Sequence, residues 1–454
     1  MLKVIVRSKR DADAVMAMLR TFYDDWDIGV ATLHGARSIE NVLDELEKSI
    51  DPHLYNIVLL GREDSSMVHE LEDKVDVNVV VHMVPRARVR NTRLEHLFHE
   101  LEVARSKIRL NVRWVSNRRV YRLSHGDGER LEGYSYNPAY DSFLGIGEGF
   151  RTRLSELLGF NIGSNPLLVR MMGGKHLIYS GNILVGELEV PDEGVRPKAK
   201  TISDNIVDVD LEGLLSVNKE VLRVHESISL KLLEEYREWA DTVIVPWSGG
   251  KDSTVALLLA VKAFGRDRVK AIYVDTGVEF PFTHKYVEEL AEKLGIELHV
   301  GYARIDRELL RGAPMPTHDN RWCTRLKIET VSITLSRLRE GRTLIVLGDR
   351  DAESEKRSRR PPIRVEDEEL VTIAPIKMWG TFHVQLYLLL NNIPLNPLYE
   401  YGFYRIGCYI CPALRSWEVY VMLKDKSISE ALRDKPLYKK FLDHRLSSQH
   451  QQPW

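Results

Sequence analysis

The residues best suited to chemistry lie first in a glycine turn, Ser248-Gly249-Gly250-Lys251-Asp252-Ser253. Glycines allow backbone N–H groups to approach an anion closely, and the start of a following helix adds unpaired N–H donors and a positive dipole end. Lys251 adds a full positive charge, and Ser248 and Ser253 add hydroxyl donors. We therefore predict that all six residues bind a phosphate or sulfate, with Lys251 and Asp252 as catalytic candidates.

This turn is not a Walker A loop, because Val245 and Asp252 occupy positions at which that motif requires glycine and serine or threonine. The alternative interpretation is a plain turn that links a strand to a helix. The β-branched apolar run before the turn and the helix-length apolar run after it favour the anion site.

Two later polar segments supply further candidates. Asp275 and Thr276 follow an apolar strand-like run, and Gly348 opens an arginine-rich segment that contains Arg350 and Arg357. Arginine forks bind phosphate groups bidentately. We predict nucleotide contacts at Asp275, Thr276 and Gly348, and anion-binding catalytic roles for Arg350 and Arg357; the alternative for both segments is a solvated loop.

All three cysteines of the chain lie in its second half. Cys408 and Cys411 form a Cys-x-x-Cys pair between a glycine and a proline, and Cys323 lies upstream. Three thiolates suffice for zinc with a fourth ligand such as His318 or Asp319, or for a [4Fe–4S] cluster with one open iron. All-sulfur ligation favours the cluster, while a redox pair or inert thiols are the alternatives.

The elements that must position these residues read as alternating strands and helices. Apolar runs predict strands at 243–245, 269–276, 296–302 and 344–347, and helices at 254–264, 284–294 and 324–339. This order predicts an α/β fold with a doubly wound parallel sheet, in which ligands bind at the carboxyl ends of the strands.

The first half of the chain predicts two other units. Residues 1–93 alternate strand-like and helix-like segments, which predicts a small α/β domain of unknown role with a parallel sheet. Residues 94–205 predict a β-rich connecting domain, with hairpins around Ser116-Asn117 and Gly181-Asn182. A helical leader at 211–239 then opens the third domain, 206–454.

Composition limits the class of protein. The net charge is −2, so nucleic acid could bind only through local patches. The arginines of 86–93 could form such a patch, and the alternative interpretation of this segment is a solvated linker. Three cysteines in 454 residues fit a reducing compartment rather than a disulfide scaffold. Since no apolar stretch reaches membrane-spanning length and no signal segment is evident, we expect a cytoplasmic protein without membrane contact.

Four blocks in the range 241–425 resemble the PAPS reductase family of the PP-loop (ATP-pyrophosphatase) superfamily. They are Ser248-Gly-Gly-Lys-Asp-Ser253, Asp275-Thr-Gly-x-x-Phe-Pro281, Cys323-Thr-x-Leu-Lys327 and Asn396-Pro-Leu-Tyr-x-x-Gly-Phe-x-Arg-Ile-Gly-Cys-x-x-Cys-Pro412. The resemblance implies an adenine nucleotide alpha hydrolase-like sheet, ATP or PAPS/APS in the crevice, and a [4Fe–4S] cluster on the cysteines of the iron–sulfur members.

The chain departs from the cluster-bearing reductases of this family in two respects. Trp322 stands before Cys323, where those enzymes have a second cysteine, and the tail 444–454 lacks the nucleophilic cysteine. If all three cysteines hold a cluster, no thiolate is left to accept a sulfonate. The three-cysteine pattern is instead similar to iron–sulfur tRNA-thiolating PP-loop enzymes and to the DNA phosphorothioation member of the family.

From these patterns we predict a PP-loop sulfur-transfer enzyme with Cys323, Cys408 and Cys411 on a [4Fe–4S] cluster, zinc being the alternative. With ATP, Asp252 or Asp275 would hold Mg²⁺. The expected partners are an adenine nucleotide, a tRNA or other nucleic acid acceptor, and a thioredoxin or ferredoxin-like donor. A PAPS or APS reductase with an external thiol donor, and a nucleotide-gated RNA-binding protein that uses basic clusters at 86–93 and 356–364, are the alternatives.

Overall fold

The chain begins with a four-stranded parallel sheet in a computed structural model that describes residues 1–449. The strand order is β2-β1-β3-β4. Alternate residues of β1 pack on opposite faces: Val4 and Val6 join one apolar cluster, while Ile5 joins the other. The elements are β1 (Leu2–Val6), α1 (Lys9–Phe22), β2 (Ile28–Thr32), α2 (Ile39–Ser49), β3 (Tyr55–Leu60), α3 (Ser65–Lys74), β4 (Val79–Met83) and α4 (Leu94–Leu110).

The middle of the chain is rich in antiparallel strands. A three-stranded sheet has the order β6-β5-β7, and a five-stranded sheet has the order β12-β11-β10-β9-β8. Both predicted hairpins are present, and Gly181 makes the second turn with a φ of +62°. The elements are β5 (Arg113–Val115), β6 (Val120–Arg122), β7 (Glu129–Arg130), β8 (Asp141–Leu144), α5 (Glu148–Leu158), β9 (Leu167–Arg170), β10 (Lys175–Ser180), β11 (Ile183–Glu189) and β12 (Lys198–Thr201).

A six-stranded sheet with the order β15-β14-β13-β16-β18-β17 forms the centre of the remaining chain. All neighbours are parallel except β17, which pairs antiparallel with β18. The elements are α6 (Leu211–Glu234), β13 (Thr242–Pro246), α7 (Lys251–Phe264), β14 (Val269–Asp275), α8 (Pro281–Leu294), β15 (Glu297–Tyr302), α9 (Ile305–Leu310), α10 (Trp322–Leu338), β16 (Thr343–Val346), α11 (Glu355–Ser358), β17 (Ile363–Asp367), β18 (Leu370–Ile373), α12 (Thr381–Leu390), α13 (Pro397–Glu400), α14 (Ser416–Lys424), α15 (Lys426–Leu432) and α16 (Pro436–Gln449).

This topology confirms the predicted α/β class, with a doubly wound sheet, a small parallel α/β unit before it and a β-rich middle region. The chain leaves β13 toward β14 on one side and returns to β16 on the other, so a crevice opens between the carboxyl ends of β13 and β16. The sequence did not predict the β17–β18 hairpin, which extends the sheet at one edge.

One hydrophobic core joins the middle region to the last sheet. Trp114, Leu144 and Tyr179 belong to the same buried cluster as Val243 and Phe382. The expected boundary near residue 205 therefore does not separate two independent cores. Within residues 1–449, no helix combines the length and the apolarity needed to cross a bilayer.

Candidate functional site

The glycine turn connects β13 to α7 in the crevice. Gly249 has a φ of +73°, and a Cβ there would lie 2.8 Å from Cγ2 of Val287, so both conformation and space require glycine. Asn396 Nδ2 donates to Gly249 O at 3.3 Å, and Ser253 Oγ donates to Gly250 O at 3.0 Å. Helix α7 begins at Lys251, three residues before the predicted start, so its first turn belongs to the site.

Lys251 is buried, and its ammonium group has two partners. Nζ donates to Asp252 Oδ2 at 3.1 Å and to Tyr404 O at 3.4 Å, while the backbone N–H donates to the hydroxyl of Tyr399 at 3.1 Å. Burial acts to lower the pKa of Lys251, but Asp252 and Tyr399 together outweigh it, so the pKa is raised. The site therefore retains a cation at neutral pH.

Arg350 does not face the crevice as the sequence suggested. Its side chain is only 3% exposed, and Nε donates to Asp252 Oδ1 at 2.6 Å. Nη1 donates to Asp141 Oδ2 at 2.9 Å, and Nη2 donates to Thr381 Oγ1 at 2.8 Å. Neither anion contact nor a solvated loop describes this side chain, because the buried Asp141 and the partly buried Asp252 direct the guanidinium inward. Arg350 thus orients Asp252.

A polar cavity of about 280 Å³ lies over the glycine turn. Arg357 lines it, with Nε 3.5 Å from Asp349 Oδ1 and Nη1 paired with Glu353. The sequence did not single out Arg405 or Tyr399 as site residues, although both fall in a family block. The lining includes Ser248, Gly250, Lys251, Asp252, Ser253, Gly348, Asp349, Glu353, Arg357, Tyr399 and Arg405.

An apolar cavity of about 360 Å³ adjoins the polar one, and the two share Pro246, Ser248, Leu347 and Ile406. Its walls are mainly aliphatic and aromatic side chains, a composition that suits a flat heterocyclic ring. The lining includes Trp247, Ile272, Tyr273, Val274, Glu279, Thr283, Lys327, Ile328, Val331 and Gly407.

Asp275 and Thr276 lie at the end of β14, but neither lines either cavity. Asp275 Oδ1 accepts the N–H of Gly277 at 2.8 Å, and Thr276 Oγ1 donates to Glu279 Oε1 at 3.1 Å. Their side chains shape the turn after β14, and their neighbours Val274 and Glu279 line the apolar cavity. Their predicted nucleotide contact, and the predicted Mg²⁺ ligation by Asp275, stay predictions.

The Cys408–Cys411 pair begins beside the apolar cavity, and Cys323 is the third cysteine of the chain. All are unpaired thiols, and Gly407, which lines the cavity, directly precedes Cys408. A hydrogen bond between Cys408 and Cys411 lowers the pKa of Cys411 to about 6 and raises that of Cys408 well above its ordinary value. After burial, the charge of Cys411 is the largest influence that raises the pKa of Cys323, so the third thiol is also close.

The donor set fits a cluster in kind, since it offers three free thiols, two of them buried, and Lys327 lies within electrostatic reach of Cys408 and Cys411. Across the described residues, however, no three His, Cys, Asp or Glu side chains are arranged to hold a metal ion. His318 and Asp319, the predicted fourth ligands, are exposed. The cluster and zinc therefore stay predictions.

Two of the four arginines at 86–93 and four of the five basic residues at 356–364 form ion pairs within the protein. Arg88 pairs with Glu63 at 2.9 Å, and Arg90 with Asp11 at 3.3 Å. In the second cluster, ion pairs join Arg357 to Glu353, Arg359 to Glu355, Arg360 to Asp349 and Arg364 to Glu366. These contacts give the RNA-binding alternative no support.

Comparison with known proteins agrees with this site. Residues 242–414 match the family model of the phosphoadenosine phosphosulfate reductase domain. An uncharacterised protein of Methanocaldococcus jannaschii is 32% identical over 226 residues, which is 49% of this chain and 47% of that protein. A second uncharacterised protein of the same organism is 32% identical over 255 residues, which is 53% of this chain and 61% of the relative. The matches thus span about half of these relatives.

Two named reductases also match. The phosphoadenosine 5'-phosphosulfate reductase of Alteromonas mediterranea is 27% identical over 211 residues, which is 42% of this chain and 81% of that enzyme. The solved phosphoadenylyl-sulfate reductase of Candida auris is 21% identical and covers 42% of this chain and 96% of its own, with a TM-score of 0.33. The C-terminal region of the chain, at residues 242–414, is thus similar to the phosphoadenosine phosphosulfate reductase domain.

Proposed function

We propose that this chain is an enzyme that binds an adenine nucleotide, either ATP or PAPS/APS, and transfers sulfur with the help of an iron–sulfur cluster. One observation carries the proposal: the polar cavity over the glycine turn adjoins the apolar cavity, and the Cys408–Cys411 pair begins next to a residue that lines the apolar cavity. Ile406 lines both cavities, Gly407 lines the apolar one, and Cys408 comes next in the chain.

The two cavities divide the nucleotide between them in this proposal. The adenine ring occupies the apolar cavity, and the phosphate or sulfate end lies over the glycine turn. Lys251 and the N–H groups of the turn bind that end and stabilise charge that develops on it, because fixed donors in a site shielded from water need little reorganisation. With ATP, Mg²⁺ would enter with the phosphates.

Cys323, Cys408 and Cys411 would hold the cluster. When bound through three cysteines, a [4Fe–4S] cluster supplies one open iron at which a sulfur atom can bind. The chain's own contribution beside it is the ion pair of Lys327 Nζ with Glu279 Oε1 at 3.3 Å, which places a cation in the wall of the apolar cavity. Because burial would disfavour that charge, the Glu279 carboxylate is needed to retain it.

Anaerobic purification tests the cluster. We expect about four irons and four sulfides per chain, with a broad visible absorption band. Each single replacement of Cys323, Cys408 or Cys411 by alanine should abolish the cluster and sulfur transfer together, because the chain has no fourth cysteine that could substitute. Zinc in place of iron would contradict the proposal and indicate a structural site.

A sulfonucleotide reductase is the second candidate, because a phosphoadenosine 5'-phosphosulfate reductase is among the relatives that match the chain. A Cys411 thiolate could attack the sulfur of PAPS or APS, forming a cysteine S-sulfonate as the S–O bond to the nucleotide phosphate breaks. An external thiol such as thioredoxin would then supply the electrons that release sulfite. Incubation without reductant followed by mass spectrometry distinguishes the candidates, since a stoichiometric S-sulfonate on Cys411 would refute the three-ligand cluster.

A further inference from the structure

A buried chain of alternating charges runs from the β-rich middle region to the anion-binding turn. Asp141 on β8 contacts Arg350 at 2.9 Å, and Arg350 contacts Asp252 at 2.6 Å. Asp252 then contacts Lys251 Nζ at 3.1 Å. Four groups of alternating sign thus connect the middle region to the lysine beneath the polar cavity.

Both oxygens of Asp141 are fully used within the protein. Oδ2 accepts from Arg350 Nη1 and from Thr381 Oγ1 at 2.7 Å, and Oδ1 accepts the N–H of Thr381 at 3.0 Å. Burial acts to raise the pKa of Asp141, but Arg350 and two further arginines outweigh it, so the pKa is lowered. The first N–H of α12 also faces this carboxylate, and a helix start favours an anion. Asp141 is therefore a fixed anion.

The strand that carries Asp141 is also fixed to α12. The N–H of Leu144 donates to Gln385 Oε1, and Gln385 Nε2 donates to Leu144 O, each at 2.9 Å. A Cβ on Gly380 would lie 3.1 Å from Asp141 Oδ1, so the helix start approaches closely. Asp141 on β8 and Thr381 on α12, which both contact Arg350, are thereby held side by side.

We propose that Asp141 is a positioning residue for the anion-binding turn, so that the middle region completes the nucleotide site. Without its charge, Arg350 would keep only one carboxylate partner and could rotate toward it, drawing Asp252 away from Lys251. The identity of the ligand rests on the proposed function, whereas the positioning itself does not. Residues 94–205, which the family match does not include, thus gain a role in the site.

Hydrogen–deuterium exchange of the full chain without ligand tests the positioning directly. Two variants disturb the chain of charges: Asp141→Asn removes the first charge, and Thr381→Val removes the hydroxyl between Asp141 and Arg350. Each should speed amide exchange of residues 248–254 and 348–354 about tenfold. Thr381→Ser retains the hydroxyl and should restore the slow rate. Amides of the first sheet serve as the internal reference, because global destabilisation would speed them equally.

Calorimetry with ATP, PAPS and APS then links positioning to binding. Asp141→Asn and Thr381→Val should each bind whichever of these nucleotides the wild type binds with about tenfold lower affinity. A difference of this size is typical of one lost charge-assisted contact. Asp11→Asn is the matched control, since Asp11 is a buried carboxylate paired with an arginine in the first α/β unit. The nucleotide affinity of this variant should equal that of the wild type.

Three outcomes would overturn the inference. They are unchanged exchange in both variants, loss of affinity in Asp11→Asn as large as in Asp141→Asn, and tighter binding in Asp141→Asn. Tighter nucleotide binding by Asp141→Asn would mean that Asp141 acts only by offsetting positive charge at the site. If Asp141→Asn does not fold, Thr381→Val and Thr381→Ser decide the matter alone. A wild-type chain that binds none of the three nucleotides would refute the proposed function, while the exchange rates would still decide the inference.

Discussion

At the scale of single residues, the charge of Lys251 depends on neighbours rather than on water. Only 8% of its side chain is exposed, and its Nζ lies 3.1 Å from Asp252 and 5.6 Å from the centre of the Tyr399 ring. A cation held in this way has little hydration to lose when an anion enters the cavity. Its contribution to binding should accordingly exceed that of a surface lysine.

Replacing Lys251 with alanine should weaken nucleotide binding by about 1.5–3 kcal/mol, the range for a hydrogen bond to a charged group. Titration calorimetry with ATP and PAPS measures the change. Lys262→Ala is the control, because Lys262 lies on the same helix but pairs with Glu226 at the surface. Equal affinity of the wild type and Lys251→Ala for every bound nucleotide would contradict the prediction.

Arg357 is the arginine of its loop that we expect to contact the ligand. It lines the polar cavity and remains 38% exposed, whereas Arg350 is enclosed. Arg357→Ala should weaken binding and reduce the dependence of affinity on salt, since one fewer cation attracts the anion. Arg359→Ala, in the same loop and paired with Glu355, should leave both unchanged. If the affinity of Arg357→Ala depends on salt as steeply as that of the wild type, the Arg357 side chain is solvated and does not contact the ligand.

At the scale of elements, the crevice depends on one close backbone approach. A Cβ on Gly348 would lie 2.7 Å from backbone atoms of Asp252 and Ser253, which cannot move like a flexible side chain. The end of β16 therefore packs directly against the first turn of α7. This contact fixes the width of the polar cavity.

Gly348→Ala should lower the free energy of unfolding by about 1–3 kcal/mol, the cost of overpacking, and should also weaken nucleotide binding. Thermal denaturation and calorimetry measure the two effects. Gly29→Ala is the control, because its Cβ would meet only a lysine side-chain atom at 3.6 Å. A variant with wild-type stability would show that the loop accommodates the methyl group.

The sequence predicted the strand–turn–helix units well because their signals are local. Apolar runs marked four of the six strands of the last sheet, β13, β14, β15 and β16, and Gly295 ends α8 in the left-handed conformation that a glycine after a helix favours. The inward direction of Arg350 was not predictable, because Asp141 lies 209 residues earlier in the chain. The positions of Arg405 and Tyr399 were not predictable either. Both line the polar cavity only because the segment after α12 folds back over the glycine turn.

At the scale of the whole molecule, two buried histidines should make stability depend on pH. Burial, together with the charge of nearby arginines, lowers the pKa of His176 and of His383 to about 3 each. As the pH falls below about 6.5, the unfolded chain takes up protons that the folded chain cannot. The folded state should therefore lose stability between about pH 6.5 and about pH 3.

Each histidine should contribute up to about 1.4 kcal/mol per pH unit to this loss. Urea denaturation at several pH values measures how steeply the free energy of unfolding changes with pH. His176→Phe should reduce this slope by the contribution of about one proton. His69→Phe replaces an exposed histidine on α3 and should leave the slope as in the wild type. A slope that His176→Phe does not change would mean that this histidine is protonated in the folded state.

The core shared by the middle region and the last sheet has a consequence for biosynthesis. Leu144 bonds to Gln385, which the ribosome adds 241 residues later. At about 5–20 residues per second, β8 waits roughly 12–50 s for the helix that covers it. During that interval the apolar faces of the middle sheet have no partner from the last sheet. The nascent chain should therefore need a chaperone that shields it until α12 leaves the exit tunnel.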